Sequence, residues 1–178
     1  GWLTYKTRGS VTDYVRAREI LIPGQHNIEN YLAAIAATQP YVQPDAVKQV
    51  ATGFRGVEHR LELVRDLDGV RYYNSSIDTS PTRTRAAMNA LADRSEKVVL
   101  ITGGKDKKLD YTQLGEAVLK VSRKIILCGE NSPLIEHSII QSLPYAGLKA
   151  EDVVIIHCES YEEAVQQARR LAEPGEVV

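Results

Sequence analysis

Residues able to do chemistry gather in short stretches of this 178-residue chain. Asn74-Ser-Ser-Ile-Asp-Thr-Ser80 closes a β-rich run, and Pro81 follows at once. Ser80 fits a helix N-cap and Pro81 the first helical position, so a strand should meet a helix here. That junction puts hydroxyls, carboxamides and unpaired backbone N–H groups at one point, which suits an anionic substrate. Thr102-Gly-Gly-Lys-Asp-Lys-Lys-Leu-Asp110 follows a fully apolar run, as phosphate-binding glycine loops do. It has neither the Gly-x-x-x-x-Gly-Lys-[Ser/Thr] spacing of a Walker loop, absent from the whole chain, nor the third glycine of a dinucleotide fingerprint. By residue type alone it reads as a solvated surface loop.

In Gly24-Gln-His-Asn-Ile-Glu-Asn30 the two asparagines lie three apart, on one face of a first helical turn. Carboxamides donate and accept together, as recognition of an adenine edge requires. The plainer alternative makes Asn27 an N-cap and Asn30 a surface residue. His59-Arg60, at the start of a strand, is in isolation a surface pair. Cys128 and Cys158 each end an apolar run and read as buried free thiols at strand ends, outside any metal-type spacing. His157 and Cys158, adjacent in a strand, should point to opposite faces and form no Cys/His pair.

The elements that must position these residues follow from periodicity. Residues 13–22 read as one strand of imperfect alternation ended by Pro23-Gly24. A helix from Asn27 to about Thr38 carries Ile28, Leu32, Ile35 and several alanines as an apolar face. A second helix runs from Pro44-Asp45, with Val47 and Val50, to Gly53. Leu61, Leu63 and Val64 suggest the buried side of a strand, Asp68-Gly69 is a hairpin turn, and Val70–Asn74 returns. Helices at about 81–92, 111–121, 132–142 and 161–171 then alternate with strands at 98–102, 124–128 and 153–157. Asp110–Gln113 and Ser160–Glu163 fit capping boxes, and Ser132-Pro133 repeats the Ser-Pro helix entry of Ser80-Pro81. Gly175-Glu-Val-Val178 reads as the opening of a further strand left on exposed valines, so the chain is expected to be truncated. The fold class predicted is α/β: a Rossmann-like, mostly parallel sheet with helices on both faces and a β-hairpin at its start, preceded by a small α/β remnant.

Bulk properties exclude several function classes. A net charge of −1 gives no electrostatic case for nucleic acid or an anionic membrane. No apolar run approaches the roughly 20 residues that span a bilayer, and no secretory signal layout opens the chain. No carboxylate pair suggests a metal site, and His137 sits where a helix surface is expected.

The motifs resemble the Mur ligase family. Gly-x-His-Asn-x-x-Asn-x-x-Ala-Ala, a run at the end of that family's central domain, is matched in full down to Ala33-Ala34. Gly103, Gly104, Asp106 and Lys107 match its Gly-Gly-x-Asp-Lys stretch. The Asn74–Ser80 junction matches in part and points to the D-glutamate-adding branch. That branch more commonly reads Asn-Asp-Ser-Lys-Ala-Thr-Asn, with the Asp on ribose and the Lys serving D-glutamate; Ser75 and Ile77 stand at those places here.

The resemblance implies an ATP-dependent ligase joining D-glutamate to UDP-N-acetylmuramoyl-L-alanine through an acyl phosphate, in cytoplasmic peptidoglycan synthesis. It implies ATP contacts at Asn27, Asn30, Arg60 and Ser75, and D-glutamate contacts at Thr79 and Lys107. Arg83, one turn into its helix, is expected to supply the positive charge lost at Ile77. Residues 1–52 correspond to the end of the family's central ATPase domain, 53–56 to a hinge linker and 57–178 to its amino-acid-binding domain. No catalytic residue is expected in this segment. Mg²⁺ and the ATP phosphates would be held mainly by other parts of such an enzyme, so the chain alone is expected to be inactive. A cytoplasmic monomer without nucleic-acid or membrane partners is expected. The alternatives are another ligase of the superfamily, including the folylpolyglutamate type, and a non-catalytic Rossmann-like binding module.

Overall fold

Alternating apolar residues before Pro23 make a hairpin rather than one long strand. In the computed structural model, which describes residues 1–178, β1 (Trp2–Lys6) pairs antiparallel with β2 (Val11–Arg16). The expected 13–22 strand therefore ends early, because residues Ala17–Glu19 tighten into a 3₁₀ turn. Helices α1 (Gln25–Thr38) and α2 (Pro44–Gly53) complete a first unit, Gly1–Val57. Its core gathers Leu3, Tyr14, Val15, Ile20, Ile35, Val47 and Ala51. The expected apolar face of α1 is narrower than its composition suggests. Leu32 is exposed, and only Ile35 and Asn27 of α1 are buried; on α2, Val50 is exposed as well.

The second unit, Glu58–Val178, opens with β3 (Glu62–Leu67) and β4 (Val70–Asn74), paired antiparallel. Asp68 and Gly69 both have positive φ, 54° and 79°, as the hairpin turn between them requires. Leu63 and Val64 are exposed, contrary to the expectation of a buried side; Leu61, just before β3, is the residue that packs on the core. Next come α3 (Pro81–Ala92), β5 (Val98–Gly103), α4 (Leu114–Val121), β6 (Ser122–Cys128), α5 (Ser132–Ser142), β7 (Val154–Cys158) and α6 (Tyr161–Leu171). β5, β6 and β7 are parallel neighbours in that order.

The final residues join the two sheets. Val177 makes parallel bridges to Arg71 on β4 and Val98 on β5, with Val178 N–H donating to Arg71 O at 2.9 Å and Tyr73 N–H donating to Val178 O at 2.7 Å. Val177 is fully buried, which corrects the expectation of exposed valines. The Lys124 ammonium secures this approach: it bonds both oxygens of Glu176, at 3.0 and 2.9 Å, and the Leu171 carbonyl at 2.9 Å.

Helices cover both faces of the parallel sheet, as its continuous apolar strands require. Met88 and Leu91 of α3, Leu114 and Val118 of α4, and Ile135 and Ile139 of α5 pack with Leu100, Ile125 and Leu127. On the other face Ala164 and Ala168 of α6 meet Val99, Ile126 and Cys158. Two helix starts in this unit differ from expectation. Asp110 caps a local turn on Thr112, and α4 starts later, at Leu114. Asn131, not Ser132, precedes the first residue of α5.

Candidate functional site

Strand order in an open α/β sheet places ligand crevices beyond the carboxyl ends of its strands. Such a crevice, about 590 Å³, lies where β4 and β5 end and α3 begins. Its rim is built by the Asn74–Ser80 junction, and its wall by the glycine turn after β5.

The junction is folded by its own hydrogen bonds. Asp78 N–H donates to Ser75 O at 2.9 Å and Thr79 N–H to Ile77 O at 2.9 Å, so the chain reverses before the helix. Ser80 is extended (φ −125°, ψ 149°) and its hydroxyl accepts from Arg83 N–H, an N-cap as the sequence predicts. Thr84 Oγ1 donates to Asp78 O and Ser80 O, both at 3.1 Å, binding the first helical turn to the turn before it. The α3 N-terminus is thereby fixed beside Thr79.

The glycine turn is set by steric exclusion. A Cβ on Gly103 would stand 2.0 Å from Cys128 O, and one on Gly129 would stand 2.7 Å from Gly104 N. Two backbone segments pass each other there, and only glycine permits it. Beyond the crossing, Asn131 N–H donates to Gly104 O at 3.1 Å, Asp106 N–H to Glu130 at 3.3 Å and Lys108 N–H to Asp106 at 2.8 Å. The loop so held delivers Lys107, whose Nζ donates to Thr79 Oγ1 at 2.9 Å. Residues 28 apart in sequence, both proposed from motif matches, meet at the crevice rim. Downstream, the backbone N–H and then the hydroxyl of Thr112 hold the Asp110 carboxyl below its usual range.

Residues 59–178 match the family described as Mur ligase, glutamate ligase domain. The chain belongs to the Mur ligase family. It is 45% identical over 178 residues to the UDP-N-acetylmuramoylalanine–D-glutamate ligase of Ruminiclostridium cellulolyticum, covering 100% of this chain and 37% of that protein. It is 44% identical over 176 residues to the ligase of the same name from Acetivibrio thermocellus, covering 99% and 37%. The chain thus spans little more than a third of the length of these curated relatives. Among solved structures, folylpolyglutamate synthase of Mycobacterium tuberculosis complexed with ADP superposes with a TM-score of 0.61 at 18% identity, over 92% of this chain and 36% of that one. MurF ligase from Thermotoga maritima in complex with ADP gives 0.60 at 17% identity, over 98% and 40%. At such identities the likeness is one of fold, and it agrees with the α/β architecture.

The remaining residues proposed from the Mur ligase motifs are distributed as follows. Asn27 is buried in the first turn of α1, one of whose ends is capped by Gly24 and not by Asn27. Its Nδ2 donates to Pro23 O at 2.6 Å, and its Oδ1 accepts from Asn30 Nδ2 at 3.4 Å. The two carboxamides are therefore bonded to each other. Ser75 lines the crevice, and its hydroxyl donates to Asp78 Oδ2 at 2.7 Å while accepting from Leu61 N–H at 3.2 Å. Arg60 is exposed and does not line the crevice. Arg83 does not line it either; its guanidinium donates to Ile77 O at 3.4 Å.

Sequence reading passed over three residues here. Asp78 lines the crevice, and its signal was a Ser-x-x-Asp turn ending at the motif. Asn131 bonds the Tyr111 hydroxyl at 2.9 Å, deep in the same crevice, with its own Oδ1 unpartnered. Tyr161 reaches Gly104 from α6. No local pattern marks these last two, because only strand order brings them close. Cys158 is buried while His157, on the opposite strand face, bonds Glu136 at 3.0 Å. Both cysteines are free thiols.

Proposed function

We propose that this chain is the carboxy-terminal part of an ATP-dependent ligase that adds D-glutamate to UDP-N-acetylmuramoyl-L-alanine. The observation that carries the reading is the Lys107–Thr79 contact beside the α3 N-terminus. An ammonium, a hydroxyl and the positive end of a helix converge there on one point of the rim, a binding pole for a carboxylate. The names of the curated relatives support D-glutamate as the molecule that brings it.

In this reading the acceptor carboxylate is activated as an acyl phosphate with loss of ADP. The free amine of D-glutamate then attacks the acyl carbon, the C–O bond to phosphate breaks, and the amine gives up a proton. Lys107 and Thr79 hold the amino acid by a carboxylate so that its amine is presented to the acyl group. Arg83 adds positive charge near the same pole. Asn27 and Asn30 address the adenine edge, and Arg60 and Ser75 the rest of the nucleotide. The ADP complexes of the two structural neighbours support nucleotide use. No group of three His, Cys, Asp or Glu side chains in the chain is arranged to hold a metal ion, and Mg²⁺ is assigned to none of these residues. Residues 1–52 would end a central domain, 53–56 form a hinge and 57–178 bind the amino acid, in a cytoplasmic monomeric enzyme.

Phosphate release by the full-length ligase carrying this chain tests the reading, with ATP, Mg²⁺ and UDP-N-acetylmuramoyl-L-alanine. Turnover is expected with D-glutamate and not with L-glutamate, L-alanine or L-lysine. Lys107→Ala is expected to raise the KM for D-glutamate roughly tenfold to a hundredfold, the loss of one charge-assisted hydrogen bond, with the KM for ATP unchanged. Selectivity for another amino acid, or an unmoved KM, overturns it.

A further inference from the structure

The loop that carries Lys107 runs from Gly104 to Tyr111, and residues 105–110 are exposed. Neither a helix nor a strand stiffens it. Lys108, beside the lysine, stands at φ 56°, a left-handed turn supported by the bond from its N–H to Asp106 Oδ1 at 2.8 Å. A segment of this kind belongs to the low-stability end of a fold unless its ends are pinned. Here both ends are tied to one residue. At the entry, Asn131 N–H donates to Gly104 O at 3.1 Å; at the exit, Asn131 Nδ2 donates to the Tyr111 hydroxyl at 2.9 Å. Asn131 is itself fixed, because its carbonyl accepts from Leu134 and Ile135 N–H in the first turn of α5. The bond at the entry is made by the backbone and would survive any side chain at 131. The bond at the exit requires the carboxamide.

Packing does not explain that carboxamide. Asn131 is 7% exposed in a largely apolar part of the crevice, beside Leu114 and Ile135, and its Oδ1 has no partner. A half-satisfied buried amide lowers stability, and an apolar pair in place of Asn131 and the Tyr111 hydroxyl would be as stable or more so.

We infer that Asn131 is a positioning residue: by holding Tyr111, its carboxamide closes the loop and sets where the Lys107 ammonium stands beside Thr79. The inference rests on the ligase reading above and adds to it a residue that acts through Lys107. Thr79 belongs to the junction before α3 and not to the loop, so the 2.9 Å contact between them lasts only while the loop keeps its shape. With the exit released, the exposed residues would pivot from Gly104, and the ammonium would spread over positions that no longer meet the Thr79 hydroxyl. Misplacement of a substrate-holding group by about 1 Å is enough to cost a large factor in binding or rate. The effect should therefore fall on the amino acid and spare the nucleotide.

The test uses the full-length ligase with Asn131→Leu, Tyr111→Phe and the two combined. Each variant is read by its Tm, by hydrogen exchange of the 104–111 amides followed by mass spectrometry, and by the KM for D-glutamate and for ATP. Each single substitution leaves a buried polar group unpaired and should lower Tm, whereas the double variant should regain the wild-type Tm or exceed it. All three should exchange roughly tenfold faster across 104–111. All three should also raise the KM for D-glutamate about tenfold with the KM for ATP unchanged. The double variant should be no worse in that KM than either single one, as a shared tie requires. A KM that follows Tm and recovers in the double variant would overturn the inference and make Asn131 a structural residue. Unchanged exchange across 104–111 in the double variant would overturn it too, and so would an equal rise in both KM values. A wild-type enzyme that turns over another amino acid, or none, sinks the ligase reading instead. The exchange of 104–111 needs no substrate and still decides whether Asn131 closes the loop.

Discussion

Replacing Gly103 by alanine should damage fold and site together, and the size of the effect can be worked from two quantities. The first is conformational: Gly103 has φ +136°, a region closed to residues with a Cβ, where strain costs about 1–3 kcal/mol. The second is steric. The new methyl would lie 2.0 Å from Cys128 O and 2.9 Å from Cys128 C, so one strand end must shift by more than an ångström. Cys128 is buried and in register with Cys158, so the strand cannot yield freely; overpacking of this kind costs about 1–3 kcal/mol more. The sum, about 2–6 kcal/mol, is a large share of the roughly 5–15 kcal/mol that holds a domain folded. For a unit of this size, at about 4 °C per kcal/mol, it corresponds to a fall in Tm of roughly 8–24 °C. Thermal unfolding followed by circular dichroism reads it, with Gly147→Ala as the matched control. Gly147 also has positive φ, 68°, but nothing lies within 4 Å of its would-be Cβ, so that variant reports a left-handed backbone cost without crowding, about 1 kcal/mol. If the two variants melt within about 2 °C of each other, the crowding at Cys128 O is not what requires glycine.

Lys124→Met strips the partner from Glu176, whose side chain is only 13% exposed, and should cost about 2–4 kcal/mol in urea unfolding. Adding Glu176→Gln should recover part of that loss, because an unpaired buried carboxylate is then removed; no recovery would refute the pairing argument. Burial foremost, with Glu163 and Cys128 adding to it, raises the Cys158 thiol above its ordinary value of 9.0. Its stabilising contribution is therefore present below about pH 9 and lost as pH rises through the higher folded value, where the unfolded chain ionises first. Cys158→Ser should flatten the decline of the urea midpoint between about pH 8 and pH 10, and native Cys158 should resist iodoacetamide at pH 8.

What the sequence determined by itself was local. The Ser80-Pro81 helix entry, the Asp68-Gly69 turn and the apolar runs of β5 to β7 depend on backbone geometry and burial within a few residues, and each is found where it was read. Lys107 and Thr79 were nameable because motifs preserve short spacings. Where local signals competed, tertiary packing decided. Leu63 and Val64 face solvent because β3 is the outer strand of its hairpin and only Leu61 reaches the core. Val177 is buried because β4 and β5 leave room between them for a parallel segment. Meetings across long loops were beyond reach of periodicity. The bond from Lys107 to Thr79, the carboxamide of Asn131 under Tyr111, and the passage of Gly103 against Cys128 depend on strand order. Strand order is set by which apolar faces must be covered at once, a property of the whole sheet and of no single stretch of chain.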